Sequence, residues 1–83
     1  MKIKCIIIDD EPLAIKVIER HLKEFEYIEL IDSFNSAISA LPIMEKEKID
    51  VIFLDINMPK MSGLDFIRTL TNKPHIVITT AYR

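Results

Sequence analysis

Acids and hydroxyls close three apolar runs of this chain: Asp9 and Asp10 follow "IKCIII", Asp55 follows "VIFL", and Thr79 and Thr80 follow "HIVI". Runs that are short, β-branched and nearly free of polar alternation suit strands buried on both faces of a parallel sheet. In such sheets ligands sit just outside the carboxyl ends of the strands. If the strands ending at Asp9, Asp55 and Thr80 are neighbours, their acids and a hydroxyl converge on one rim. Like charges that close repel unless a proton or a cation intervenes. A hard divalent ion is the natural partner, and Mg2+ is typically held by one or two carboxylates, several waters and a phosphate. The group therefore predicts Mg2+ and a phosphoryl group together. A carboxylate can attack phosphorus to give an aspartyl phosphate while a metal neutralises the charge on the transferring oxygens. Asp55 is the best-placed nucleophile because the chain breaks at Pro59 just after it, and Thr80 could donate to a phosphoryl oxygen.

The elements needed to position these groups are legible. Ile3–Ile8 reads as the first strand, and the segment from Leu13 to Phe25 carries Ala14, Val17, Ile18, Leu22 and Phe25 at the spacing of an amphipathic helix, with Pro12 in its first turn. Ile28–Phe34 reads as a second, less buried strand. Asn35 and Ser36 are candidate caps of a helix reaching about Lys46, in which Pro42 should remove a hydrogen bond and bend or delay the helix. Ile49 to Leu54 forms a third strand, Gly63 to Leu70 a short helix, and "HIVITTAY" a fourth strand. The order βαβαβαβ implies parallel strands joined by right-handed crossovers.

Composition narrows the classes. With 83 residues, 49% apolar and 29% charged, the chain is one ordinary globular domain at most, and its core has little to spare. A net charge of −2 without clustered Lys or Arg disfavours nucleic-acid binding by this segment. Cys5 is the only cysteine, so no internal disulfide and no multi-cysteine metal site can form. No apolar run approaches the roughly 20 residues of a membrane span, and the run before Asp9 is too short for a signal peptide. The expectation is a cytoplasmic protein without a membrane partner.

Taken together, "IIIDDEP", "VIFLDINMPKMSGLDF" and "IVITTAY" closely resemble, in order and spacing, the receiver domain of two-component response regulators. That resemblance implies a flavodoxin-like (CheY-like) doubly wound parallel sheet. It makes Asp55 the phosphoacceptor and itself a metal ligand, Asp10 the principal Mg2+ ligand with Asp9 beside it, and Asn57 the residue whose backbone carbonyl ligates the metal. By the same resemblance Thr80 is the switch hydroxyl, and Pro59 and Gly63 belong to the loop entering the third helix. "DDEPLA" and "TTAY" look most like receivers joined to a LytTR-type DNA-binding domain. The implied partners are a sensor histidine kinase and, through an effector domain absent from residues 1–83, DNA.

The departures carry expectations too. Relative to the family, the chain reads as the N-terminal part of one receiver, lacking the last helix-strand-helix and the lysine that would pair with the phosphoryl group; Lys60 and Lys73 match neither role. The main expectation is a signalling phosphoacceptor rather than an enzyme. One alternative is a phosphatase passing through an aspartyl phosphate, which resembles the haloacid dehalogenase group; Asn57 stands where those enzymes carry a second acid. Another is an inactive fragment that completes its sheet as a homodimer through an exposed edge. For single residues the plainer readings are a helix-capping turn for Asp9 and Asp10, a strand position opposite Thr80 for Thr79, a packed or rim position for His21, and the start of a strand after Pro74 for His75, neither histidine being a phosphate donor. Core packing is expected for Cys5 and Met44, as for Met58 and Met61, and a solvated helix end for Glu45–Lys48.

Overall fold

A computed structural model describes residues 2–55, 68 and 74–79 of the chain. Within them run β1 (Ile3–Ile8), α1 (Pro12–Leu22), β2 (Ile28–Phe34), α2 (Ala37–Lys46), β3 (Val51–Leu54) and β4 (His75–Ile78). All four strands are parallel and lie in the order β2-β1-β3-β4. The register stacks Ile6, Ile52 and Ile76 in one cross-strand row and Ile7, Phe53 and Val77 in the next. Adjacent rows point to opposite faces. Ile6, Ile8, Ile52 and Leu54 are therefore buried with Ala37 and Ala40 of α2, whereas Cys5 and Ile7 are buried with Leu22 of α1. One helix on each face is the doubly wound arrangement expected from the apolar runs. The third expected helix, Gly63 to Leu70, falls outside the described residues except for Arg68, which is helical.

Helix α1 differs from expectation in its end and its inward face. It stops at Leu22 instead of reaching Phe25, because the N–H groups of Glu24 and Phe25 turn to the carbonyls of His21 and Leu22, three residues back. Such tightening is how a helix satisfies its last carbonyls. Phe25 then meets Tyr27 edge-on, with ring centroids 5.8 Å apart. Ile15, Ile18 and Leu22 face the sheet, while Val17, assigned to the apolar stripe, is 48% exposed. His21 is exposed.

Helix α2 starts where its cap predicts: the Ser36 hydroxyl accepts from the Ser39 N–H at 3.2 Å. Pro42 neither delays nor splits it. The carbonyl that loses its partner belongs to Ile38, four residues back on the exposed side of the helix. Met44 packs on the α2-side core, and Cys5 is fully buried with its thiol pKa raised by desolvation. In β2 the register slips after Leu30, so that Ile6 faces Asp32 and Ile31 bulges from the edge strand.

At the start of the sheet Asp50 binds on both sides. Its N–H donates to the Lys4 carbonyl at 2.8 Å, its Oδ2 accepts from the Lys4 N–H at 2.9 Å, and its carbonyl accepts from the His75 N–H at 2.9 Å. This bracket shortens the expected third strand, which begins at Val51 rather than Ile49. Ile49 is buried nonetheless. Lys4 also reaches Glu47 at 3.4 Å, so the charged end of α2 is only partly a solvated one.

Candidate metal and phosphoryl site

The strand order places β1 and β3 side by side although they are not consecutive in sequence, with β2 on the far side of β1. Here the chain winds away in both directions, and the crevice at the carboxyl ends of these two strands is where open α/β sheets take ligands. Asp9 and Asp55 are the first residues past them. The ladder continues through both: the Asp9 N–H donates to the Phe34 carbonyl and the Asp55 N–H to that of Ile8, each at 3.0 Å. Backbone pairing thus fixes the acids on the rim.

Asp9 and Asp55 are each only 1% exposed, and Asp10 is the most open of the three. One carboxylate oxygen from each lies within 4.8 Å of the others. Asp9 Oδ1 accepts from the Glu11 N–H at 2.8 Å, which holds its carboxylate over the turn into α1. The bond closes an Asx-type turn onto Glu11, the N-cap residue of α1, and is not a side-chain cap of the helix; the same side chain belongs to the acidic group.

The donor set suits a hard divalent cation. Oxygens placed across an octahedral Mg2+ stand about 4.2 Å apart, twice its usual ligand distance of ~2.1 Å. Of three oxygens on one such ion at least two pairs are neighbours, about 3.0 Å apart, so the 4.8 Å grouping closes on it by drawing together or through a bridging water. Carboxylates without Cys or His exclude a preference for soft metals.

Asn57 and Thr80 lie outside the described residues, as do Met58, Pro59, Lys60, Met61, Gly63 and Lys73. Thr79 is described, and it stands just beyond β4 rather than inside a longer strand. Its N–H donates to the Leu54 carbonyl at 2.9 Å, so it extends the ladder as Asp55 does. The sequence gives the functional hydroxyl to Thr80 and only a plain strand position to Thr79. Counting residues from strand to strand would have found it, because Thr79 is in step with Asp9 and Asp55.

The model of the response regulator receiver domain matches residues 5–83. The Transcriptional regulatory protein BtsR of Escherichia coli is 39% identical over 82 residues, a match covering 96% of this chain and 34% of BtsR. Another relative in that species, the Transcriptional regulatory protein YpdB, is 32% identical over 83 residues and is likewise matched over 34% of its length. The chain thus spans about a third of the curated relatives it matches. Among solved structures, the response regulatory domain of mrkE from Klebsiella pneumoniae superposes with a TM-score of 0.82 at 34% identity, over 96% of this chain and 68% of that one. The isolated REC domain of RcsB from Salmonella enterica, determined with the phosphomimetic BeF3-, shares the fold with a TM-score of 0.75 at 22% identity, over 82% of this chain and 51% of that one. With the matched sheet order and the acids at its switch point, the chain belongs to the response regulator receiver family.

Proposed function

We propose that residues 1–83 form the N-terminal part of one receiver domain whose phosphoacceptor is Asp55, with Asp10 and Asp9 holding Mg2+ directly or through water. The observation that carries this reading is the convergence of the three carboxylates at the ends of β1 and β3. An Asp55 oxygen attacks the phosphorus of a donor, the bond from phosphorus to the donor breaks, and its electron pair leaves with the donor. Bound Mg2+ would supply the charge neutralisation that this transfer needs. Asp9 and Asp10 orient the ion, and burial of Asp55 against the sheet keeps its carboxylate from wandering. The Asn57 carbonyl completes the metal's protein ligands and Thr80 binds the phosphoryl group. The donor is a sensor histidine kinase, and the protein acts as a signalling acceptor without turning over a substrate.

The output of the longer protein is transcriptional, by way of a DNA-binding effector domain of the LytTR type. The relatives' names as transcriptional regulatory proteins support this. A cytoplasmic location follows from that role, and no helix among the described residues is long and apolar enough to cross a membrane. Intact mass after incubation with Mg2+ and a small phosphodonor tests the acceptor. The full-length protein should gain one phosphoryl group and Asp55→Asn none; an undiminished gain in the variant removes Asp55 from the role.

A second reading, self-association through a sheet edge, draws on β4. It is an edge of the described sheet, and Val77 and Ile78 are 42% and 49% exposed. On this reading light scattering of residues 1–83 finds a dimer, and a stable folded monomer discards it.

A further inference from the structure

The last paired row of the sheet is Ile8, Leu54 and Ile78, so Asp9, Asp55 and Thr79 occupy the next row together. The N–H of Asp55 bonds back to Ile8 and that of Thr79 to Leu54, which carries the register through this row. Residues in one row of a parallel sheet point to the same side, on strands about 4.8 Å apart. Thr79 therefore presents its side chain beside that of Asp55. Its Oγ1 is buried and has no hydrogen-bond partner among the described residues. Burying a hydroxyl without one incurs its full desolvation cost, so an orphan of this kind calls for a reason.

We propose that Thr79 is a second hydroxyl donor to the phosphorylated site: its O–H donates, directly or through one water, to a phosphoryl oxygen carried by Asp55. The inference rests on Asp55 being the phosphoacceptor. In the unmodified protein the Asp55 carboxylate makes no hydrogen bond with Oγ1. Phosphorylation adds strong acceptor oxygens beyond it. The hydroxyl that is an unfavourable feature of the resting state becomes a satisfied donor in the phosphorylated one, and its two states bias the protein toward the latter. This role is additional to the one that the family resemblance gives to Thr80.

Titrating the full-length protein with BeF3- in the presence of Mg2+, followed by NMR, tests this. Thr79→Val keeps the branched shape and removes the hydroxyl; it is expected to bind the phosphomimetic about tenfold more weakly, while Thr79→Ser stays near wild type. Without BeF3-, Thr79→Val should melt at or above the wild-type temperature. Equal affinity of Thr79→Val and wild type overturns the proposal, as does a lower melting temperature of the unliganded variant, which would assign the hydroxyl to the resting fold. Failure of the acceptor assignment looks different: Asp55→Asn would then bind BeF3- as wild type does.

Discussion

Asp10→Asn is expected to melt above the wild-type protein when divalent cations are chelated and below it when Mg2+ is abundant. Two unit charges 4.8 Å apart repel by about 3.5 kcal/mol at an effective dielectric constant near 20. Asp10 is the most open of the three acids, so solvent reduces this, and a gain of about 1 kcal/mol is a reasonable expectation. For a small domain that corresponds to roughly 5 °C in Tm. Mg2+ reverses the order, because an ion that binds only the folded state stabilises it by mass action and the variant has lost a ligand. Thermal melts with chelator and with millimolar Mg2+ would reveal the crossing. Parallel behaviour of the two proteins in both buffers would mean that the acids neither repel nor share an ion.

Ile52→Ala should cost 2–5 kcal/mol, the range for truncating a fully buried aliphatic side chain. Ile52 is 0% exposed, sits mid-sheet between Ile6 and Ile76, and packs with Leu54 and Ala40 under α2. Small domains are stable by only about 5–15 kcal/mol, so the loss consumes much of the total. Urea denaturation followed by circular dichroism should show a midpoint far below wild type with an unchanged slope. The control is Ile38→Ala: Ile38 is 55% exposed on α2, and its truncation should move stability by no more than about 0.5 kcal/mol. Similar losses at both positions would contradict the assignment of the core.

How much of this was legible depended on which force decides each feature. The bounds of β1 match its apolar run, as suits a strand buried on both faces, and those of β2 match the partial alternation of "IELIDSF". The Ser36 cap was readable because its hydroxyl has a local job. Helix α1 was harder. Its pattern allowed either Val17 or Ile15 to face inward, and only packing on Cys5 and Ile7 decides for Ile15. The halt at Leu22 reflects carbonyls closing three residues back, which apolar spacing does not encode. Strand β3 begins late because Asp50 binds Lys4 across 46 residues of sequence. At the site, the convergence of Asp9, Asp10 and Asp55 needed only the neighbour relation of β1 and β3, which family resemblance and strand order both imply. Thr79 needed the exact register, a property of paired strands and not of any one segment.

That register is set far from the acids. A slip of one residue between β1 and β3 would carry Asp55 about 3.3 Å along the strand and turn it to the other face. Apolar runs such as "CIII" and "VIFL" offer little resistance, because a shifted isoleucine is still an apolar side chain. Asp50 is different: beside its backbone bonds to Lys4 and His75, its carboxylate Oδ2 takes the Lys4 N–H, a side-chain bond that the apolar residues of the strand do not offer. It works as an index pin, seated at the entry of the sheet and aiming a side chain at the exit, so the accuracy of the rim is secured by a residue that never approaches it.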